Sequence, residues 1–127
     1  MHIAYLSTEF PHNNLPAAGG IGSFIKNLSK ELINLGHQVT VFIINSNKNA
    51  EWKTEDEITI VEIKKKNSSI GALFYRLYIS KIIKTYIKNN AIDIIECPDW
   101  EGYHAFFKLD VPLVTRIHGS VTYFNNL

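Results

Sequence analysis

The sequence predicts an α/β fold built on a doubly wound parallel sheet. Apolar runs of strand length alternate with amphipathic stretches of helix length along the chain. Residues 38–44 form a nearly continuous β-branched and aromatic run, which is typical of a parallel strand buried on both faces. A glycine-rich turn at residues 19–22 separates the first strand pattern from the first helix pattern. This alternation favours a parallel sheet with helices on both faces.

The first half of the chain predicts three strands and one helix. The first strand is expected from His2 to Ser7, and the helix from Gly20 to Leu35. One face of that helix is formed by Phe24, Ile25, Leu28, Leu32 and Leu35. Gly36 follows as a C-terminal stop. The second strand covers residues 38–44, polar residues 45–57 are expected to form a loop, and the third strand covers residues 58–63.

The second half predicts a long helix over residues 70–88. Its core face is expected to contain Leu73, Phe74, Leu77, Ile83, Tyr86 and Ile87. Tyr75, Tyr78 and Tyr86 are interpreted as packing residues rather than as a stacking platform for bases or sugars. A fourth strand is expected at residues 91–97, a short helix at 100–109 and a fifth strand at 111–117. Right-handed crossovers then predict the strand order 3-2-1-4-5.

Composition narrows the function classes. The 127 residues suit about one domain, and the net charge of +1 gives no strong field for nucleic acid or an anionic membrane. The run Lys64-Lys65-Lys66 is interpreted as a solvated strand end rather than a lipid or nucleic-acid contact. The single cysteine, Cys97, excludes an internal disulfide and fits a reducing compartment. Neither a signal-peptide pattern nor an apolar run of transmembrane length is visible, so a cytoplasmic location is expected.

Three segments are expected to meet at one edge of the sheet. They are the loop Gly19-Gly20-Ile21-Gly22 after the first strand, Asp99-Trp100-Glu101 after the fourth, and His118-Gly119 after the fifth. Ligands of such sheets bind outside the carboxyl ends of the strands, where the strand order reverses. A glycine turn before a helix also directs backbone N–H groups at an anion. The sequence therefore predicts a phosphate-binding crevice, with Gly20 and Gly22 opposite Asp99 and His118.

Each of these segments also has a simpler interpretation. The alternatives are that the glycines serve tight packing alone, that Asp99 is only a helix N-cap, and that Trp100 is a core residue. His118 is either a strand cap or a hydrogen-bond donor and charge stabiliser for a bound sugar or leaving phosphate. Carboxylates beside an exposed tryptophan suit sugar hydroxyls and a sugar face, which favours Asp99, Trp100 and Glu101 as sugar ligands.

Several other sites are disfavoured by the same residues. Ile25 stands where the third glycine of a dinucleotide fingerprint belongs, and no acidic residue ends the second strand. No lysine follows the glycines, which excludes the ATPase phosphate loop. The five histidines and Cys97 lack metal-ligand spacing, so no metal is expected. Ser23 is not in a nucleophile elbow, and Cys97 has no evident base nearby.

Nearly the whole chain resembles the start of a family 4 (group 1) glycosyltransferase. The opening strand is followed by matching segments in the family's order and spacing. These are Phe10-Pro11, Gly19-Gly20-Ile21-Gly22, Gly36-His37-Gln38-Val39-Thr40-Val41, Asp93-Ile94-Ile95-Glu96, Pro98-Asp99-Trp100-Glu101-Gly102 and Pro112-Leu113-Val114-Thr115-Arg116-Ile117-His118-Gly119. The combination is much more specific than any one of its motifs.

The resemblance implies the GT-B architecture, in which two Rossmann-like domains face each other across a cleft. Residues 1–127 would form the N-terminal, acceptor-side domain, whose partner is the donor-binding C-terminal domain of the same protein. The residues Gly19, Gly20, Ile21, Gly22 and Gly119 would lie against the donor, a nucleotide-diphosphate sugar, with the acceptor as the alternative partner of Gly20 and Gly22. His118 would stabilise the developing charge.

The resemblance also implies the chemistry and the acceptor. Asp99, Trp100 and Glu101 would contact a carbohydrate or lipid-linked acceptor. Transfer would proceed with retention and without a bound metal or other cofactor. Peripheral membrane association of the full-length protein is compatible with this picture, and the 127 residues alone are expected to be inactive. Two alternatives stay open: a stand-alone flavodoxin-like module that binds phosphate or a nucleotide, and a structural or interaction domain.

Overall fold

A six-stranded sheet forms the centre of the computed structural model, which describes residues 1–66, 71–105 and 107–119, with only the backbone of Glu101. The elements follow one another along the chain as β1 (His2–Ser7), α1 (Gly20–Asn34), β2 (Gln38–Ser46), β3 (Ala50–Lys53), β4 (Thr59–Lys64), α2 (Ala72–Asn90), β5 (Ile94–Pro98), a 3-10 helix (Trp100–Gly102) and β6 (Leu113–Arg116). The sheet order is β3-β4-β2-β1-β5-β6.

The five parallel strands have the predicted order, because β4, β2, β1, β5 and β6 correspond to strands 3-2-1-4-5. The prediction of a loop across residues 45–57 was wrong in part. Residues 50–53 form β3, which pairs antiparallel with β4 and places Trp52 opposite Ile60. The Trp52 indole N–H also donates to Glu62 at 2.8 Å. Four residues are too few for an alternating pattern to be recognised in the sequence. A strand this short is also stable only when it pairs with a neighbouring strand.

The two helices cover opposite faces of the sheet, as the doubly wound fold requires. The face under α1 contains the buried cluster Tyr5, Phe10, Ile25, Val39, Val41, Ile43, Ile58 and Ile60. The face under α2 contains Ala4, Leu6, Phe42, Ile44, Val61, Ile63, Ile95 and Cys97 together with buried α2 side chains. Successive residues of β1 and β2 therefore alternate between the two cores, which explains their continuous apolar sequence.

Two residues expected on the buried face of α1 lie outside it. Phe24 is 37% exposed and Leu35 is 74% exposed, whereas Ile25 is buried and Leu28 and Leu32 pack against the core. Leu35 follows the last helical residue and is the C-cap, so the helix no longer sets its direction. Phe24 precedes Ile25 in the helix, and its ring contacts residues at the carboxyl edge of the sheet, as described below.

The core face predicted for α2 was wrong in its first half. The buried residues are Tyr75, Ile79, Ile83 and Ile87 at four-residue spacing. Leu73, Phe74 and Leu77, expected to be buried, are about half exposed, at 48%, 55% and 47%. Because apolar residues occupy both sides of this helix, its periodicity does not identify the buried side. The packing role of the tyrosines is confirmed, since Tyr75 is buried, and Tyr78 and Tyr86 pack against the core.

The segment after β5 is less helical than predicted. A helix was expected over residues 100–109; among the described residues of this range, Phe106 lying outside them, only Trp100–Gly102 form a 3-10 helix. Gly102 has a left-handed φ of 57°, which ends the helical geometry. Asp99 occupies the N-cap position, but its side chain makes no capping hydrogen bond. β5 also begins later than predicted, because Ala91 terminates α2 with a φ of 50°.

Candidate functional site

The glycine loop is held in place by a carboxylate. The backbone N–H of Gly22 donates to Glu9 Oε1 at 2.8 Å. Glu9 is itself fixed by Ser7, whose Oγ donates to the Glu9 carbonyl at 2.7 Å and accepts from the Glu9 N–H at 3.1 Å. The carboxylate thus lies at the positive N-terminal end of α1, where a negative charge is stabilised. The N–H groups of Gly20 and Ile21 belong to the same first turn and have no acceptor within the helix.

Gly20 and Gly22 have different surroundings. A Cβ atom at Gly22 would come within 3.1 Å of the Ala18 Cβ and 3.2 Å of the Glu9 carbonyl carbon. At Gly20 nothing lies within 4 Å of that position. Packing therefore accounts for the glycine at position 22. Position 20 borders open space, where a ligand can approach the backbone closely.

A cleft of about 270 Å³ opens beside this turn. It joins the glycine loop to the segment after β5 and to the end of β2. Its walls are formed by Leu6, Ser7, Thr8, Glu9, Gly19, Gly20, Ile21, Ile44, Pro98, Trp100 and Tyr103. The Asn45 amide fixes one wall by donating to the Tyr103 hydroxyl at 3.0 Å. Gly19, Gly20, Ile21 and Trp100, all predicted as site residues, thus share one cleft, and Trp100 is 36% exposed in it.

Asp99 and His118 are joined directly, although neither lines this cleft. The His118 backbone N–H donates to Asp99 Oδ1 at 3.1 Å, and the Asp99 N–H donates to the Arg116 carbonyl at 3.0 Å. The Asp99 carboxylate therefore ties the segments that follow β5 and β6 to each other instead of capping a helix. Since Asp99 lies between the cleft residues Pro98 and Trp100, His118 is held next to the cleft.

Phe24 connects His118 to the helix that begins with the glycine loop. The His118 and Phe24 rings meet edge to face with their centroids 5.7 Å apart. The Arg116 guanidinium carbon lies 4.8 Å from the centre of the same phenyl ring. The exposure of Phe24, unexpected from the helix pattern, is explained by these two contacts. The structure therefore brings Gly20 and His118 to the same edge of the sheet.

Arg116 and Glu96 form a paired fork that the sequence did not reveal. The Arg116 Nη2 donates to Glu96 Oε2 at 3.0 Å, and Nε donates to Oε1. Hydrogen bonding to Glu96 raises the pKa of Arg116. Burial, followed by the Glu96 charge, raises the pKa of the neighbouring Tyr5 hydroxyl to about 12. The register that places Pro98 beside Arg116 forms this pair, and such a register cannot be read from either strand alone.

The remaining predicted site residues add less. Gly119 has a left-handed φ of 103°, and the side chain of Glu101 lies outside the described part of the chain. His104 Nε2 lies 3.2 Å from Thr115 Oγ1, and burial lowers the pKa of His104. Across the described ranges, His, Cys, Asp and Glu side chains form no group of three able to hold a metal ion.

Neither described helix combines the length and apolar character needed to span a bilayer.

Comparisons with known proteins find relatives of both the sequence and the fold. Residues 18–127 match the model of Glycosyltransferase Family 4. Glycogen synthase from Hydrogenobaculum sp. (strain Y04AAS1) is 29% identical over 96 residues, which cover 76% of this chain and 18% of that protein. The structure of sucrose-phosphate synthase from Thermosynechococcus elongatus superposes with a TM-score of 0.64 at 14% identity, over 93% of this chain and 33% of that one.

The chain thus spans a minor part of each of these relatives, and the structural match identifies its fold as one Rossmann-like half of the GT-B architecture. The family match extends over most of the sequence, from the glycine loop through β6. It includes the loop, the segment after β5 and His118, which the fold gathers at one edge. The chain belongs to Glycosyltransferase Family 4.

Proposed function

We propose that this chain is the acceptor-side N-terminal domain of an enzyme that moves a sugar from a nucleotide-diphosphate donor to a carbohydrate or lipid-linked acceptor. A hydroxyl oxygen of the acceptor forms a bond to the anomeric carbon, and the bond from that carbon to the β-phosphate oxygen breaks. The electron pair leaves with the nucleoside diphosphate, which also takes the acceptor proton. Retention of configuration is part of the proposal and rests on the family resemblance.

The observation that supports this reaction most strongly is the meeting of the glycine loop with the segments after β5 and β6. The Phe24–His118 ring contact and the Asp99–His118 hydrogen bond join three separate segments. Charge develops on the departing diphosphate, and donors aimed at developing charge give the largest rate effects in such sites. The N–H groups of Gly20 and Ile21, together with the His118 imidazole, are the donors proposed for this task.

Trp100 is proposed to face the acceptor. Its indole is partly exposed, and it lines the same cleft as Gly19 and Gly20. An aromatic ring exposed in a cleft suits the apolar face of a sugar ring. Asp99 is proposed as a positioning residue, because its observed partner is the His118 backbone rather than open solvent.

The proposal is tested with the full-length protein that contains this chain. Nucleotide sugars differing in base and in sugar are supplied with and without candidate acceptors, and release of nucleoside diphosphate is measured together with formation of the glycosylated product. We expect release that depends on the acceptor and a product of the corresponding mass. Binding of nucleotide without transfer to any acceptor would instead support a flavodoxin-like binding module.

A further inference from the structure

The outer face of α2 has an unusual composition. At about 3.6 residues per turn, the side opposite the buried Tyr75, Ile79, Ile83 and Ile87 holds six other side chains. Its first half displays Leu73, Phe74 and Leu77, and its second half displays Lys81, Lys84 and Lys88, all exposed. An amphipathic surface helix normally directs polar residues to this side. We call these six residues the outer face of α2.

The apolar half of this face is large for an exposed surface. Leu73, Phe74 and Leu77 keep 48%, 55% and 47% of their surface accessible. They are neighbours on the helix because residues three and four apart lie on one side. A contiguous apolar patch bordered by polar residues marks an interaction site more often than a single exposed leucine does.

The charge around this face has one sign. No Asp or Glu occurs between Glu62 and Asp93, and seven of the 13 Lys and Arg residues fall in this interval. The rest of the chain therefore contains the other six basic residues and all 12 acidic ones. A net charge of +1 thus conceals a strongly basic stretch and an acidic remainder. The prediction from net charge, that the chain lacks a strong field for an anionic surface, did not consider this uneven distribution.

The basic run after β4 adjoins the same helix. The Lys66 ammonium lies 3.7 Å from the centre of the Tyr78 ring, and Lys64 and Lys65 are exposed. Two nearby acidic residues of the described chain lie elsewhere: Glu62 is inside the fold, and Glu51 is at the flank of α2. Glu62 is buried and accepts hydrogen bonds from Ser46 and Trp52.

The flank contact is made by Glu51. Its Oε1 accepts from the Tyr86 hydroxyl at 3.2 Å. Tyr86 lies more than two helical turns after Leu77, the last residue of the apolar half. The outer face itself therefore presents ammonium groups and apolar surface together.

We propose that the outer face of α2, with Lys64, Lys65 and Lys66, docks on an anionic lipid bilayer. Leucine and phenylalanine side chains enter the boundary between headgroups and acyl chains when a helix lies in the plane of the interface. Lysines extend their charged ends to anionic headgroups while their methylene stems cover apolar surface. The face offers both contributions, and neither Lys64–Lys66 nor the apolar patch alone would provide stable binding.

Other partners fit the same residues less well. The centres of protein interfaces are depleted in lysine, whereas lysines occupy half of this helix face. A nucleic acid would use the lysines for its phosphates but would leave Leu73 and Leu77 without a counterpart. The combination of leucine and lysine on one helix side is the composition of bilayer-surface helices.

The start of α2 also lies near the candidate cleft. The Tyr75 hydroxyl accepts from the Asn45 backbone N–H, and the Asn45 side chain donates to Tyr103 on the cleft wall. Docking through the start of α2 would therefore bring the cleft close to the lipid surface. This last step depends on the proposed function, whereas bilayer binding does not.

Flotation of the full-length protein with vesicles tests the proposal without any sugar transfer. Vesicles of phosphatidylcholine are compared with vesicles in which one third of the lipid is phosphatidylglycerol. We expect binding to the anionic vesicles only, weakened by added salt. Lys81→Gln with Lys84→Gln should weaken binding about thirty-fold. Phe74→Ser with Leu77→Ser should weaken it about ten-fold or more.

Matched controls separate this face from general charge and general hydrophobicity. Lys48→Gln with Lys108→Gln removes the same charge from exposed positions elsewhere, and Leu35→Ser changes a leucine that is 74% exposed. Both control variants should bind vesicles nearly as the wild type does. Circular dichroism and the thermal midpoint verify folding, which is expected because all the altered side chains are exposed.

Three results would overturn the proposal. One is failure of the wild type to bind anionic vesicles. Another is binding that the α2 variants weaken no more than the controls do. The third is a dimer in the absence of lipid that Phe74→Ser dissociates while vesicle binding is absent, because this would identify the face as a contact between copies of the protein.

Discussion

The imidazole of His118 lies edge-on against the phenyl ring of Phe24, with the ring centroids 5.7 Å apart and the planes inclined by 74°. Phe24 belongs to the helix that starts at the glycine loop, and His118 follows the last described strand. The contact joins the first helix to the segment after the last described strand, at the carboxyl edge of the sheet. It gives the candidate site a physical connection that the family match alone does not supply.

The two helix glycines should respond differently to alanine. Gly22→Ala places a methyl group against Ala18 and the Glu9 backbone, so we expect the free energy of unfolding to fall by about 1–3 kcal/mol. Gly20→Ala meets nothing within 4 Å and should leave stability unchanged or raise it by up to about 1 kcal/mol. Urea denaturation of both variants measures the difference. Equal losses at the two positions would contradict the packing described here.

The Glu9 carboxylate should stabilise the start of α1. Glu9→Gln removes the negative charge at the helix N-terminus and weakens the bond from the Gly22 N–H, so we expect a loss of about 1 kcal/mol. Glu31→Gln is the matched control near the other end of the same helix, where a lost negative charge is neutral or slightly favourable. Chemical denaturation of both variants decides. A Glu9→Gln protein as stable as the wild type would show that this carboxylate does not support the loop.

The buried Cys97 thiol should make stability depend on alkaline pH. Burial, followed by the Glu96 charge, raises the pKa of Cys97 from 9.0 to about 12. Above pH 9 the unfolded chain loses this proton while the folded chain keeps it, so stability falls as pH rises towards 12. Between pH 8 and pH 10 the wild type should lose about 1 kcal/mol more than Cys97→Ala does.

That comparison uses each protein at pH 8 as its own reference, because Cys97→Ala also leaves a cavity that lowers stability at every pH. Tyr5 and Tyr86, whose pKa values are each raised to about 12 mainly by burial, contribute equally to both proteins and cancel. The same fall in stability in both proteins would show that Cys97 ionises as readily in the folded state as in the unfolded one.

Residues 1–127 without the rest of the protein should not transfer sugar. The resemblance assigns most of the donor contacts to a second domain, so the isolated chain would supply only one side of the site. Incubation with the donor that the full-length protein uses should give no glycosylated product above background, as measured by mass spectrometry. Turnover by the 127 residues alone would refute this assignment of the donor contacts.

The parallel sheet was predictable because each of its central strands is a distinct apolar run bounded by turn residues. Residues 38–44 illustrate this, since the alternation of Val41 and Phe42 between two cores makes residues 41–44 continuously apolar. The short β3 was not predictable, because its place depends on hydrogen bonds to β4 rather than on its own pattern. The buried side of α2 was predicted wrongly because both of its faces contain apolar residues.

The site was predictable at the level of segments and less so at the level of contacts. The fold places the three expected segments at one edge, and Gly20 and Trp100 share a cleft. The contacts of Glu9 with Gly22 and of Arg116 with Glu96 depend on loop shape and strand register, which local sequence does not specify. An acidic residue just after β1, on the same edge as the loop, was the available signal for the first of them.

The most direct test of the account is the rate of sugar transfer by the full-length His118→Ala protein. We expect kcat to fall by about a hundred-fold or more, because a donor to the developing charge is lost, with only a small fall in the thermal midpoint from the lost ring contact with Phe24. His37→Ala, which alters a histidine near the opposite edge of the sheet, should keep the wild-type rate. A His118→Ala protein that transfers sugar as fast as the wild type would contradict the assignment of this edge as the site of transfer.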